Sequence, residues 1–538
     1  MMRRVELVFA LAVTALLAAV HVSLFVHAGP LWRDEVNSVN LVSMSFADFR
    51  ENFQFDSFPV AWFGLLRAWM LTGAGASDTG LRVLGLLTGL GVLGVLWWSA
   101  RRTGAQTPLF SLAFLGFNAA VVYFGDSLRA YGVGMLTGIV AFALVHQFAE
   151  RPNLRRGLAA AAAALLAVQC VFYNAIVVLA ACSGGAALAL RRRLPATIPR
   201  LIAVGLPAAL SLLMYAGTIQ RQSEWNAIVR WPINLAWIWA KFRVATEMTA
   251  VIAPWTWVAF TAGSLALAIG LVAWGGAGIP DDSRDHAAFW GAALAVGVTA
   301  YLVFLLTLRY PMQPWYFLTL LALAAVCFDG ILLSVPVSPR LRLVRLVAAV
   351  LLIAFAFPRV WEVTRLRRTN LDRVASTLAT TATAADAIVI TPWHHGLTFA
   401  RYYRGAARWT TVPPMDSHQV HRWDLLMRAM EDPDAMRPAL DLVAATLRQG
   451  GRVFWVGAIE SAPPGQPPPA LPPAPSAPWG WHDLPQYEGW GLQAGTLLRD
   501  HILRVALVPV AVEQPVSTYE DLQVTAFEGW RDVPPEPR

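Results

Sequence analysis

Lysine is almost missing from this chain. Lys241 is the only one, so arginine supplies nearly all of the 42 basic residues. Charge of either sign is scarce too, at 14% of 538 positions, which is too little to solvate the surface of a soluble protein of this length. The net charge of +8 does not point to nucleic acid, because the arginines sit in short clusters between apolar runs rather than along one face. Cysteine is limited to Cys170, Cys182 and Cys327, all inside apolar stretches and without metal-ligand spacing, which argues against a disulfide framework or a zinc site.

What fills the chain instead is apolar: 57% hydrophobic residues and a mean hydropathy of +0.50. Stretches near the ~20 residues that a helix needs to span hydrocarbon fall at about 5–28, 80–100, 107–124, 130–149, 157–175, 176–190, 199–217, 251–275, 287–308, 314–334 and 341–358. They predict about eleven crossings. Arg3 and Arg4 precede the first run and no A-x-A cleavage site follows it, so it is read as a retained anchor rather than a signal peptide. Arg101-Arg102, Arg151 to Arg156, Arg191 to Arg193 and Arg340 to Arg345 alternate with arginine-poor connections. By the positive-inside rule these loops and the N-terminus are cytoplasmic, and an odd number of crossings leaves the C-terminus outside a plasma membrane. Phe58 to Leu71 is too short to span, contains Pro59 and Arg67, and suits an interfacial helix within a large outer loop, roughly 29–79. A second outer segment, roughly 218–250, carries Trp225, Trp231, Trp237 and Trp239, most of them read as an aromatic belt, with Lys241, Arg243 and Glu247.

From about 359 the composition turns soluble. A helical stretch near 362–381, strands at 387–391 and 452–457 and helices at 395–404 and 434–449 predict a small α/β domain. Residues 461–478 contain nine prolines and predict a stiff, exposed insertion. The expected division is thus a membrane domain over 1–358 and an extracytoplasmic α/β domain over 359–538.

Three short motifs carry chemistry. In Leu31-Trp32-Arg33-Asp34-Glu35-Val36-Asn37, adjacent carboxylates follow the outer end of the first helix. Asp34 has the makings of a general base, whereas N-capping competes as the role of Glu35. Tyr123-Phe124-Gly125-Asp126-Ser127-Leu128-Arg129-Ala130-Tyr131 is a tight outer turn with an acid and an arginine three apart. It reads either as an Asp–Arg pair closing a turn or as a second acid beside a phosphate-gripping guanidinium. Leu308-Arg309-Tyr310-Pro311 precedes a late helix, where Arg309 either snorkels or shapes a loop over a cavity. Phe172-Tyr173-Asn174 marks another outer turn.

In order and spacing these motifs resemble the GT-C glycosyltransferases, specifically the bacterial relatives of protein O-mannosyltransferases and of the aminoarabinose transferase of lipid A. There an Asp-Glu pair follows the first helix, an interfacial Pro-Pro-Leu-aromatic helix comes next, an Arg-x-Tyr turn closes the following outer loop and an Arg-Tyr pair precedes a late helix. Here those are Asp34-Glu35, Phe58-Pro59-Val60-Ala61-Trp62, Arg129-Ala130-Tyr131 and Arg309-Tyr310, over roughly residues 1–334. The chain departs at Asp56-Ser57-Phe58-Pro59, where family members often carry His-Pro-Pro; Asp56 is read as taking a polar role there.

The resemblance implies a mainly α, polytopic GT-C fold with outer juxtamembrane helices. It implies an inverting transferase that moves a sugar from a polyprenyl-phosphate donor, a membrane lipid, to an acceptor (glycan, lipid or protein) on the outer face. Asp34 would be the base, with Glu35 and Asp126 beside it, and Arg129, Tyr131, Arg309, Tyr310, Lys241, Arg243 and Tyr173 would hold donor phosphate or substrate. It names no required cofactor and leaves a divalent metal open, with no ligands assigned. Two rivals stand: an O-antigen ligase or polymerase using a polyprenyl-diphosphate donor, which would carry its arginines and histidine in a large late loop, and a transporter or flippase, which would show inverted repeats. His394-His395 is read as a surface loop, and His418 and His421 complete no pattern.

Overall fold

The computed structural model describes all residues except 1, 57, 105–106, 227–232, 248, 274–278, 309–312, 336–337, 473–482 and 533–538, and the main chain only at 223–226, 308 and 483–485. It resolves into two compact units. One comprises Met1–His27, Phe58–Gly217 and Pro232–Arg365; the other comprises Ala28–Ser57, Thr218–Trp231 and Leu366–Arg538. The second unit therefore draws on the segment after the first helix as well as on the tail.

The first unit is a multi-pass membrane bundle. Among the described residues nine helices are long and apolar enough to cross a bilayer: Met2–His27, Asp78–Arg102, Ala130–Glu150, Asn174–Arg191, Thr197–Gln222, Ala253–Ala273, Asp281–Thr307, Pro314–Leu333 and Pro339–Val363. The other two expected spans take different forms. Leu154–Cys170 is a single helix of 17 residues, about 25 Å long at 1.5 Å per residue and so slightly short of the hydrocarbon core. The 107–124 run is broken into a turn at Leu109–Ser111, a π-helical turn at Leu112–Gly116 and a short helix at Ala119–Gly125.

Pro108 opens that broken segment and Asn118 restarts it, its Oδ1 accepting the Val121 N–H at 3.0 Å. The freed amides at its start are satisfied from another helix, as apolar surroundings require. Asp329 accepts the N–H groups of Phe110 and Ser111, both at 2.9 Å, and the Ser111 hydroxyl at 2.6 Å. This buried acid within a spanning helix is thereby accounted for as a cap. Val60–Leu71, the short apolar helix expected in the interface, has 12 residues.

Close backbone approach fixes the Asp126 turn. A Cβ on Gly85 would lie 2.0 Å from the Asp126 carbonyl oxygen, and one on Gly89 would lie 2.2 Å from Asp126 Oδ1 and 2.5 Å from His21 Nδ1. Gly85→Ala is accordingly expected to cost about 1–3 kcal/mol of bundle stability, read as a lower unfolding temperature in detergent, because a carbonyl cannot move aside as a side-chain tip can.

The second unit holds a five-stranded sheet in the order β2-β1-β3-β5-β4, with β1 at Ala387–Ile390, β2 at Arg408–Thr411, β3 at Arg452–Val456, β4 at Ile502–Val508 and β5 at Val524–Trp530. β2, β1 and β3 run parallel, and β5 pairs antiparallel with both β3 and β4. β1 and β3 are nearly continuous apolar runs, as strands covered on both faces must be. Leu371, Val374 and Leu378 from the Leu371–Thr381 helix and Phe399 from the His395–Tyr402 helix pack on Ile388, Ile390, Phe454 and Val456 to form the core. The sequence located β1, β3 and both flanking helices but not β2, β4 or β5, which are polar-interrupted and lie toward the sheet's edges. The described part of the proline-rich stretch, 461–472, contains no helix or strand.

Candidate functional site

In the second unit the Arg33–Ser43 helix begins at the motif, and its first turn gives the two neighbouring acids different work. Glu35 is fully buried and its Oε2 accepts the Trp32 N–H at 3.3 Å, closing the helix start. Asp34 keeps 19% of its side chain exposed, with Oδ1 4.0 Å from His421 Nε2 and 3.9 Å from Arg33 Nε. One carboxylate is thus structural, and its neighbour faces an imidazole and a guanidinium at the edge of solvent.

The same helix is anchored by two further polar clusters. Asn37 Oδ1 accepts the His421 N–H at 2.8 Å, while Asn37 Nδ2 and the Ser38 hydroxyl each donate to Asp56 Oδ2 at 3.0 Å. Asp56 therefore does take a polar role, tying the loop back to the motif helix and, through Asn37, to the His421 loop. At the helix start, the buried Glu520 accepts from the Arg33 N–H at 3.1 Å, from Arg33 Nη1 at 3.4 Å and from the Thr398 hydroxyl at 3.2 Å. Burial alone would raise the Glu520 carboxyl, but the His395 ring and the Arg33 charge outweigh it and hold it below the usual range.

The histidines reverse the expectation of a surface loop. His395 is buried, with Nδ1 3.5 Å from Glu520 Oε1, and its ring meets that of His394 at 4.5 Å. Burial lowers both pKa values, and the Arg33 charge adds to the effect, so both rings are neutral near pH 7. Burial likewise holds His418 down to about 4 against the pull of Asp416. Between pH 6.5 and about 4 the unfolded chain binds a proton that folded His418 refuses, so stability falls as pH is lowered through that window. A falling unfolding temperature across it, partly flattened in His418→Asn, is the expected result.

In the membrane unit, Arg129 stands at the N-cap position of the Ala130–Glu150 helix, and its guanidinium lies 4.5 Å over the Phe58 ring. Phe58 meets Tyr131 edge-on at 5.1 Å, and Tyr131 and Trp315 stand 6.3 Å apart. Phe58, the Arg-x-Tyr turn and the start of the late helix, distant in sequence, thus build one aromatic-walled basic site. Tyr173 stands edge-on to Tyr301 and Tyr316, at 6.1 and 6.4 Å. Asp126 is buried and its Oδ2 accepts from His21 Nδ1 at 2.7 Å, a pairing that the sequence did not suggest.

Lys241 lies on Leu235–Glu247 with its ammonium 4.6 Å from the Trp237 ring centroid, and burial pushes its pKa down. Arg243 bonds Glu247 at 2.7 Å, one turn along the same helix. Arg309 and Tyr310 lie outside the described residues. Sequence reasoning missed His421, His395 and Glu520 as partners of the Asp34 turn. No local pattern signals them, because they come from almost the far end of the chain.

A solved structure similar to this chain is that of ArnT from Cupriavidus metallidurans bound to undecaprenyl phosphate. The two share 14% identity, the match covers 84% of this chain and 92% of the other, and the TM-score is 0.47. No protein-family model matches the chain, and no curated protein matches it.

Proposed function

We propose that this protein is a GT-C-type membrane glycosyltransferase that moves a sugar, with inversion, from a polyprenyl-phosphate donor to an acceptor at the outer face. The observation that carries the reading is the divided labour of Asp34 and Glu35. Glu35 is spent on the helix start, while Asp34 stays half-buried and in reach of water, where a carboxylate can take a proton from an acceptor hydroxyl or amine as that group attacks the anomeric carbon. Arg33 and His421 stand beside the Asp34 carboxylate, and Asn37 and Glu520 hold its helix in place.

Arg129 is assigned the phosphate. A planar guanidinium grips two phosphate oxygens at once and neutralises the charge that builds on the leaving group, and the Phe58 ring beneath it, itself packed on Tyr131, favours one plane. Tyr131 and Tyr173 serve as walls, and Lys241 with Arg243 as supporting basic groups at the same lipid. Asp126, bonded to His21, is read as holding its turn rather than as a second acid.

Transfer of radiolabelled sugar from defined polyprenyl-phosphate sugars, measured with the purified chain in detergent, tests the assignment. Arg129→Ala is expected to raise the KM for the donor at least ~10-fold. Arg129→Lys should recover only part of this, because an ammonium cannot replace a stacked, bidentate fork. Unchanged donor KM in both variants would remove Arg129 from the site.

A further inference from the structure

A separate cluster lies in the membrane unit at the end of the Ala130–Glu150 helix that leads into the Arg151–Arg156 loop, the face that the arginine pattern assigns to the cytoplasm. His146 and Glu150 stand four apart on that helix, and His286 comes from Asp281–Leu308. The three present ligand atoms that all lie within 4.8 Å of one another, with Glu150 Oε1 already 3.4 Å from His286 Nε2. His146 is 2% exposed, yet neither of its ring nitrogens has a hydrogen-bond partner. A buried imidazole is seldom left with both nitrogens idle, because each loses its bonds to water and gains nothing in return. A cation that accepts the imidazole lone pair satisfies one of the two nitrogens and leaves the other as an N–H donor.

We propose that His146, Glu150 and His286 form a transition-metal site of the zinc class. Two imidazoles and one carboxylate are the donors of borderline cations such as Zn²⁺ and Co²⁺, not of Mg²⁺ or Ca²⁺, which take oxygen shells. A tetrahedral zinc holds its ligand atoms about 3.4 Å apart. The Glu150–His286 pair has that spacing, and His146 would have to turn within its pocket to close the remaining distance. The Arg192 guanidinium, 3.7 Å from Glu150, is held more tightly by Asp285 at 2.7 Å, so Glu150 is free to turn to a metal.

His146 and Glu150 also line a cavity of about 440 Å³, together with Arg102, Gln147, Arg151 and Arg155. The cavity offers an ion a route in, and three protein ligands would leave a fourth position for an exogenous ligand. Its arginines oppose a bare cation but suit an anion, such as phosphate, bound to the metal at that position.

The full chain, purified in detergent and stripped with a chelator, is to be titrated with Co²⁺ and then Zn²⁺. The expected result is one equivalent of Co²⁺ with the visible absorption of a tetrahedral site, no thiolate charge-transfer band from the cysteines, and displacement by Zn²⁺ but not by Mg²⁺. His146→Ala and His286→Gln should each abolish the band. His286 is only partly buried, so its variant keeps the comparison usable if His146→Ala elutes as aggregate. Absence of tetrahedral Co²⁺ in the wild-type chain, or an undiminished band in the His286→Gln and His146→Ala proteins, would overturn the site.

Discussion

Replacing Asp34 with Asn is expected to lower sugar transfer ~10²–10⁴-fold, the contribution of a positioned general base, while the protein folds and elutes as the wild type does. Asparagine keeps the size and the contacts with Arg33 and His421 but cannot take a proton. Single-turnover transfer from a polyprenyl-phosphate sugar is the measurement, since it isolates the chemical step from product release. A variant that retains wild-type turnover would mean that Asp34 is not the base. Glu35→Gln separates the two acids: it should chiefly affect stability, because Glu35 is fully buried against the Trp32 amide rather than open to solvent. His421→Ala is expected to act between them, lowering the rate while leaving the Asn37 bond to the backbone at 421 in place.

The largest expected effect on stability comes from Glu520→Ala. That carboxylate is fully buried and accepts from Arg33 and Thr398, with His395 3.5 Å away. Its removal takes the acceptor from the Arg33 amide, the Thr398 hydroxyl and one side of the partly buried Arg33 guanidinium, a loss of about 3–5 kcal/mol. Intrinsic fluorescence from the 23 tryptophans offers the readout, as a drop in unfolding temperature. Glu520→Gln should lose much less, because the amide oxygen still accepts the Arg33 N–H. Activity is predicted to fall in Glu520→Ala beyond what unfolded protein accounts for, since Arg33 immediately precedes Asp34 and Glu520 holds the start of their helix.

Much of the architecture is written in composition. A spanning helix must satisfy every backbone group within itself and be apolar over its length, so hydropathy alone places nine of the crossings close to where they lie. The same rule failed at 107–124, where Asp329, far away in sequence, supplies the bonds that let the helix break. The strands at Ala387–Ile390 and Arg452–Val456 were legible because both faces are covered. β4 was not, since five of its seven residues are exposed and its sequence carries no two-sided apolar run.

The candidate residues divide in the same way. Asp34, Glu35 and Arg129 stand out in the sequence because charge beside a long apolar run is expensive and therefore conspicuous. Which of two adjacent carboxylates is spent on a cap, that Asp126 turns to His21, and that His395 and His421 come from the tail to the first motif are matters of tertiary contact. Hydrophobicity is a property summed over a segment and needs no partner, so the sequence by itself determined that this chain lives in a membrane. The roles of its polar groups depend on distances of 3 to 4 Å between residues hundreds of positions apart, and only the folded chain sets those.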